Sequence, residues 1–203
     1  MKLYYHHLGS PTVRKVRAVA FELELVLEEI HVDWQAGEHR SPWYLALNPN
    51  AKFPTLVDGD FSLWESSAIC QYLATQAPEK DLLPREEKLR AEVTRWQCWE
   101  IAHFVPPAQK IISHNFPERR VDEAQLRAYE DDFRRYALVL DDHLRERQFL
   151  VGERLTVADF CVASMLMYAE RGKLPINGLT NLARWFATVE KRRGWQRSAP
   201  PPA

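Results

Sequence analysis

Glu65 and Ser66 set a carboxylate beside a hydroxyl where a helix should begin, directly after the strand pattern Phe61-Ser62-Leu63-Trp64. A helix start carries unpaired backbone N–H groups and the positive end of the helix dipole, so this pair suits a site that grips a charged small molecule. The alternative is a plain helix start with an exposed acid. Ser10 stands at a second strand-to-helix junction, just before Pro11, the arrangement of an N-cap followed by a first-turn proline. Pro54 opens the strand pattern Thr55-Leu56-Val57. Lacking an N–H, it belongs at a strand's first position or in a special bend with a cis bond. His6 and His7 invite a metal reading, but adjacent residues at a strand end point to opposite sides, and no acid or cysteine is placed with them. No metal is expected. Cys70, Cys98 and Cys161 are far apart, form no C-x-x-C, and each lies among helix-pattern apolar residues. They read as buried free thiols suited to a reducing compartment.

The elements that must position these groups fall into two patterns. As far as Ala77, short strands and helices alternate. Lys2–Tyr5 reads as a strand, and Val13, Val16, Ala20 and Leu23 recur at helical spacing. A strand at Glu28–Val32 follows, then Ser41-Pro42 repeats the cap-plus-proline signal for a short helix ending near Leu47. Asp58-Gly59-Asp60 supplies the turn of a hairpin between Thr55-Leu56-Val57 and Phe61–Trp64, and Ser66–Thr75 reads as the next helix. The order is βαβαββα, with a right-handed parallel crossover first and an antiparallel edge last. Pro78 to Pro84 reads as a linker. Beyond it the pattern is helical, at about 86–103, 122–146, 156–170 and 179–191, with Pro106-Pro107 breaking the first segment. Thr156-Val157-Ala158-Asp159 has the spacing of a capping box. The final SAPPPA reads as a frayed tail.

Composition excludes several function classes. The chain has 203 residues, enough for one large domain or two small ones, and 46% hydrophobic and 27% charged residues mark a soluble globular protein. With 27 basic and 28 acidic side chains, no general attraction to nucleic acid or an anionic membrane is expected. No apolar run approaches the roughly 20 residues of a membrane span. The N-terminus MKLYYHHLGS lacks the apolar stretch of a signal peptide, which points to a cytoplasmic protein.

A small α/β half with a proline opening its third strand, followed by an all-helical half, resembles the glutathione S-transferase family over nearly the whole chain. The carrying residues are Ser10-Pro11-x-x-Arg14-Lys15-Val16, Asn48-Pro49, Lys52-Phe53-Pro54-Thr55-Leu56, Glu65-Ser66-x-Ala68-Ile69 and Leu155-Thr156-Val157-Ala158-Asp159. Each piece alone is weak, and their order and spacing together are specific. The resemblance implies an α/β thioredoxin-like N-terminal domain at 1–77, a linker at 78–85 and an all-α domain at 86–203. It implies glutathione as co-substrate, a small hydrophobic electrophile as the second substrate, and a homodimer.

The resemblance also implies roles. The proline matching Pro54 is cis in the family and turns the backbone of the residue before it, here Phe53, toward the cysteinyl part of glutathione. The pair matching Glu65 and Ser66 holds the γ-glutamyl end. His39, Arg40 and Lys52 match basic side chains used at the glycyl carboxylate, where lysine and arginine are natural partners; the plain reading is a solvated basic face. Ser10 matches the serine of theta- and delta-like members, the place that holds cysteine in omega-type ones. A free thiol with a pKa of about 8.5 is only about 3% thiolate at neutral pH. Lowering that pKa by about two units takes roughly 2.7 kcal/mol, much of which a hydroxyl at a helix N-terminus can contribute. Thr12 is the second candidate for that hydroxyl, and ordinary capping is the bland role for Ser10. Trp96, Trp99, His103, Phe104 and His114 match the wall of the electrophile pocket, with most of Trp96 and Trp99 read as core.

The expected activity is conjugation of the glutathione thiolate to hydrophobic electrophiles. Two alternatives stand beside it: a non-catalytic member used as an interaction or ligand-carrying module, and a glutathione-dependent peroxide or disulfide reductase.

Overall fold

The computed structural model describes residues 1–200 and resolves into two compact units: one of Met1–Leu83 joined by the chain from Lys191 onward, the other of Pro84–Glu190. In the first unit, β1 (Lys2–Tyr5), α1 (Pro11–Glu22), β2 (Glu28–His31), α2 (Pro42–Leu47), β3 (Thr55–Asp58), β4 (Phe61–Trp64) and α3 (Ser66–Thr75) follow in the expected order. The sheet runs β2-β1-β3-β4. β1 and β2 are parallel, and the β1–β3 and β3–β4 pairs are antiparallel. Proline occupies the first turn of both α1 and α2, where its missing N–H has no intrahelical partner to lose.

Helix α1 is more enclosed than its apolar spacing suggested. Val13 through Ala20 are all buried, including three bases. Each base has an identifiable neighbour. Arg17 Nε meets Glu29 Oε1 at 2.7 Å and its Nη1 donates to the Ser198 carbonyl at 2.9 Å. The Lys15 ammonium donates to Ser67 Oγ at 3.1 Å, and the Arg14 guanidinium lies 4.0 Å over the Trp195 ring. The cover on this side is α9 (Arg193–Arg197), an element that the sequence reading missed. Gly194 makes the approach possible, because a Cβ there would lie 2.2 Å from the Ala18 carbonyl oxygen. Glu22 accepts from the Gly194 N–H and from Arg192 Nε. The frayed end expected from Ser198 therefore does not begin there: Ser198 is buried and its hydroxyl donates to the Trp195 carbonyl. The Ala199 N–H donates to the Gln196 carbonyl at 3.2 Å, and the end of the expected tail, 201–203, lies outside the described residues.

The second unit is built from α4 (Glu87–Trp99), α5 (Val105–His114), α6 (Glu123–His143), α7 (Val157–Ala163) and α8 (Thr180–Glu190). No strand follows β4 among the described residues. Pro106-Pro107 do not break the first long segment as expected. A π-helical turn at Glu100–Phe104 joins α4 to α5, and the prolines take the first turn of α5, the position that tolerates them. Thr156 and Asp159 form the expected capping box at α7. Phe104, Phe133, Leu140, Phe160 and Trp185 are fully buried at this unit's centre. Among the described residues no helix is long and apolar enough to cross a membrane.

Cys70 and Cys161 are buried, but Cys98 is exposed. It stands beside the inward stripe of Val93, Trp96 and Gln97 on α4 rather than in it.

Candidate functional site

Hairpin pairing sets Thr55 opposite Trp64, so the residues just outside that pair, Pro54 and Glu65, lie at one end of the sheet. Helix α1 contributes to the same end twice. Its first turn sends the Thr12 hydroxyl to the Phe53 carbonyl at 3.4 Å, and its second turn sends Lys15 to Ser67 at the start of α3. Ser10, Thr12, Phe53, Pro54, Glu65 and Ser66 are thus gathered around one edge of the first unit.

Ser10 precedes α1 with extended backbone, as an N-cap does, but its side chain makes no capping bond. Its hydroxyl oxygen lies 2.9 Å from that of Thr12. The loop ahead of it is fixed by His7: the Gly9 N–H donates to His7 Nδ1 and the Ser10 N–H to the His7 carbonyl, both at 3.0 Å.

The Phe53–Pro54 bond is cis. The segment before it is pinned by two side chains to which the sequence reading gave no role. The Tyr44 phenol donates to the Lys52 carbonyl at 2.7 Å, and Asn48 Nδ2 donates to the same oxygen at 2.9 Å and to Thr55 Oγ1 at 3.0 Å. Thr55 Oγ1 is also 2.9 Å from the Tyr44 oxygen. With the Tyr44 proton committed to Lys52, the Thr55 hydroxyl donates to Tyr44 and accepts from Asn48, so every group is satisfied. Burial pushes the Tyr44 phenol up to about 12, which keeps it a donor at neutral pH. Asn48-Pro49 stood out by resemblance alone, and no spacing rule tied it to Lys52.

At the other end of the hairpin, Glu65 holds φ 71° and ψ 107°, a conformation that L residues other than glycine rarely adopt. It leaves the Glu65 side chain exposed while Ser66 and Ser67 turn inward as the first residues of α3. A ten-residue helix thus presents its N-terminal N–H groups beside a serine and a glutamate.

His39 lies in a short 3₁₀ turn, Glu38–Arg40, that follows Gly37 in the left-handed region. The loop ahead of it is held by Asp33 Oδ1, which accepts from the Gln35 and Ala36 N–H groups, and by Glu38 Oε2, which accepts from the Asp33 N–H. The Ala36 bond is the main reason that the Asp33 carboxyl sits below its ordinary pKa. Trp34 stacks flat on His39, with ring centroids 3.8 Å apart and planes 5° from parallel. His39 is only 4% exposed, and neither ring nitrogen has a hydrogen-bond partner. Arg40 and Lys52 are exposed. The His6 ring lies 5.6 Å from Trp34 and 6.0 Å from Phe53. Burial, with His7 and His31 adding repulsion, lowers its pKa. Among the described residues no three His, Cys, Asp or Glu side chains are grouped to hold a metal ion.

The three residues expected at the electrophile pocket lie in the second unit and differ from one another. Phe104 is 0% exposed and packed between Trp99 and Phe133 in the core. His103 is exposed and stacks on Tyr136 at 5.1 Å. His114 accepts the Val121 N–H at Nδ1. A large ring on the inward side of a π-turn has no water to face, and position in sequence alone did not distinguish it from His103 one residue before.

Comparison with known proteins agrees with this layout. Residues 2–75 match the family model "Glutathione S-transferase, N-terminal domain" and residues 102–193 match "Glutathione S-transferase, C-terminal domain". The chain is 28% identical over 212 residues to glutathione S-transferase F9 of Arabidopsis thaliana, spanning 98% of this chain and 95% of that protein. It is 32% identical over 166 residues to glutathione S-transferase 2 of Schizosaccharomyces pombe, spanning 76% and 70%. Among solved structures, the theta class glutathione S-transferase of Xanthomonas axonopodis pv. citri with glutathione bound is 30% identical, with TM-score 0.86 and coverage of 100% of this chain and 97% of that one. The glutathione transferase URE2P6 of Phanerochaete chrysosporium in complex with oxidized glutathione is 28% identical, with TM-score 0.86 and coverage of 97% and 93%. The chain belongs to the glutathione S-transferase family, with a thioredoxin-like unit followed by a helical one.

Proposed function

We propose that the protein is a glutathione transferase that joins the glutathione thiolate to small hydrophobic electrophiles. The observation that carries this reading is the gathering of Ser10, the Phe53 backbone and the Glu65–Ser66 helix start at one edge of the first unit. In this reading the Ser66 side chain and the N-terminal N–H groups of α3 take the γ-glutamyl carboxylate, and Glu65 faces the ammonium. The Phe53 backbone pairs with the cysteinyl residue as one rung of a sheet. Lys52, Arg40 and His39 take the glycyl carboxylate. Ser10 donates a hydrogen bond to the sulfur, holds it as thiolate, and keeps its own proton throughout. The sulfur lone pair then forms the new bond to an electrophilic carbon as the leaving group departs with its electrons. Rate enhancement comes from positioning and from the raised thiolate fraction. The same reading carries a cytoplasmic location and a homodimer.

Calorimetry with glutathione and turnover of a model aromatic electrophile test it. Wild-type protein binds glutathione and turns over. Ser10→Ala raises the pKa of the bound thiol, read from thiolate absorbance against pH, and slows turnover by about tenfold or more, roughly 1.4 kcal/mol, while affinity stays within a few fold. No binding at millimolar glutathione would select the non-catalytic reading instead. Binding without turnover, together with reduction of small disulfides, would select the reductase.

A further inference from the structure

The Ser10 hydroxyl is not committed to capping α1; it is committed to Thr12. The two oxygens are 2.9 Å apart, and Thr12 is also 3.4 Å from the Phe53 carbonyl, the oxygen that the proposed function assigns to the cysteinyl N–H of glutathione. Two hydroxyls and one carbonyl in a row allow two proton arrangements. In one, Ser10 donates to Thr12 and Thr12 donates to Phe53. In the other, Thr12 donates to Ser10, the Phe53 carbonyl is released, and the Ser10 O–H is free to point elsewhere. Only the second leaves Ser10 a donor for a thiolate; the Phe53 carbonyl, with two lone pairs, can accept a ligand N–H in either.

We propose that Thr12 is a positioning residue whose proton moves from the Phe53 carbonyl to the Ser10 oxygen when glutathione docks. The longer bond is the one given up, since 3.4 Å lies beyond the usual range for O–H···O contacts. A thiolate arriving at Ser10 attracts the serine proton, and the Ser10 oxygen, no longer donating to Thr12, is left to accept from it. A hydroxyl that accepts a hydrogen bond is a stronger donor in its own right, so Thr12 sharpens the bond from Ser10 to sulfur without touching the sulfur. The device ties the Thr12 hydroxyl to activation of the thiol. It rests on the glutathione reading above.

Thr12→Val keeps the shape of the side chain and removes the relay. The expected result is a rise of about one pH unit in the pKa of bound glutathione and a fall of about tenfold in kcat, with glutathione affinity within about threefold of wild type. Thr12→Ser restores the pH profile, which a purely structural role for the methyl group would not do. In the Ser10→Ala background, Thr12→Val adds less than about twofold, because Thr12 acts only through Ser10. Full additivity of the two losses would overturn the proposal by making Thr12 an independent partner of the thiol. An unchanged thiol pKa and kcat in Thr12→Val would overturn it by making the hydroxyl pair idle. A wild-type protein that binds no glutathione removes the functional reading itself and the relay with it.

Discussion

Asp159 in the helical unit and His39 in the sheet unit are both shut away from water, and their surroundings could hardly differ more. Asp159 is fully buried and accepts four hydrogen bonds, from the Thr156 N–H and hydroxyl, the Leu150 N–H and the Trp185 indole. His39 is nearly as enclosed and has no partner for either nitrogen. A buried polar group with every bond made within one unit is explained by the fold that it ties together. A buried polar group with none needs another account, because leaving a donor or acceptor unsatisfied costs about 1–3 kcal/mol. The contrast sets a fully satisfied buried group against an unsatisfied one, and substitution at each can tell whether it serves the fold.

The largest effect expected is on the Asp159 side of the comparison. Burial pushes the carboxyl pKa upward, and the four donors oppose it. The net worth of the carboxylate is therefore smaller than four bonds suggest, but its removal orphans all four donors at once. Asp159→Ala should lower stability by about 3–5 kcal/mol, measured by urea unfolding followed through tryptophan fluorescence, with Trp185 reporting from the knot itself. A loss below about 1 kcal/mol would mean that water or a neighbour replaces the carboxylate, and the satisfied group would lose its claim to a structural role.

Glu65 tests the other side with opposite signs for stability and binding. Its φ of 71° is a conformation that costs an ordinary L residue roughly 1–3 kcal/mol and glycine almost nothing sterically. Glu65→Gly relieves that cost and gives part of it back as chain entropy. The folded state should gain up to about 1 kcal/mol, while glutathione affinity falls about tenfold or more, seen together by thermal melting and calorimetry. A destabilised Glu65→Gly would show that the glutamate side chain serves the fold.

The two sides were not equally legible in the sequence. Cap-plus-proline signals at Ser10-Pro11 and Ser41-Pro42, the Asp58-Gly59-Asp60 turn and the Thr156–Asp159 spacing act within a few residues, and they place their elements correctly. Local rules suffice where local geometry decides. Asp159's two other partners, Leu150 and Trp185, come from the loop before the helix and from α8, and no spacing rule links 159 to 185. The same holds for Tyr44 and Asn48 bracing Lys52, for α9 lying along α1 through Gly194, and for Trp34 covering His39. Position 39 was legible as a basic residue in a matching place. Its enclosure was not, because the stacking partner lies five residues away in a loop without periodicity.

The smallest expected change in stability is the one that defines the comparison best. His39→Leu exchanges a buried imidazole with no partners for an apolar side chain of smaller but similar length. Three terms act on the fold. Removing unsatisfied nitrogens from an enclosed place is favourable by about 1–3 kcal/mol. Loss of the flat contact with Trp34 is unfavourable by about 0.5–1.5 kcal/mol, and the reduced volume by about 1 kcal/mol more. The terms nearly cancel, and stability should stay within about 1 kcal/mol of wild type. Binding has no such compensation. A leucine offers nothing to the glycyl carboxylate, so glutathione affinity should fall about tenfold, or roughly 1.4 kcal/mol. Trp34 provides the direct readout, since its indole stacks on the ring that the ligand is expected to reach. Glutathione should change its fluorescence in wild type and change it far less in His39→Leu. If the variant instead unfolds more than about 2 kcal/mol too easily, His39 belongs with Asp159 among the residues that hold the fold. If affinity and the Trp34 signal are both unchanged, Arg40 and Lys52 hold the glycyl end between them.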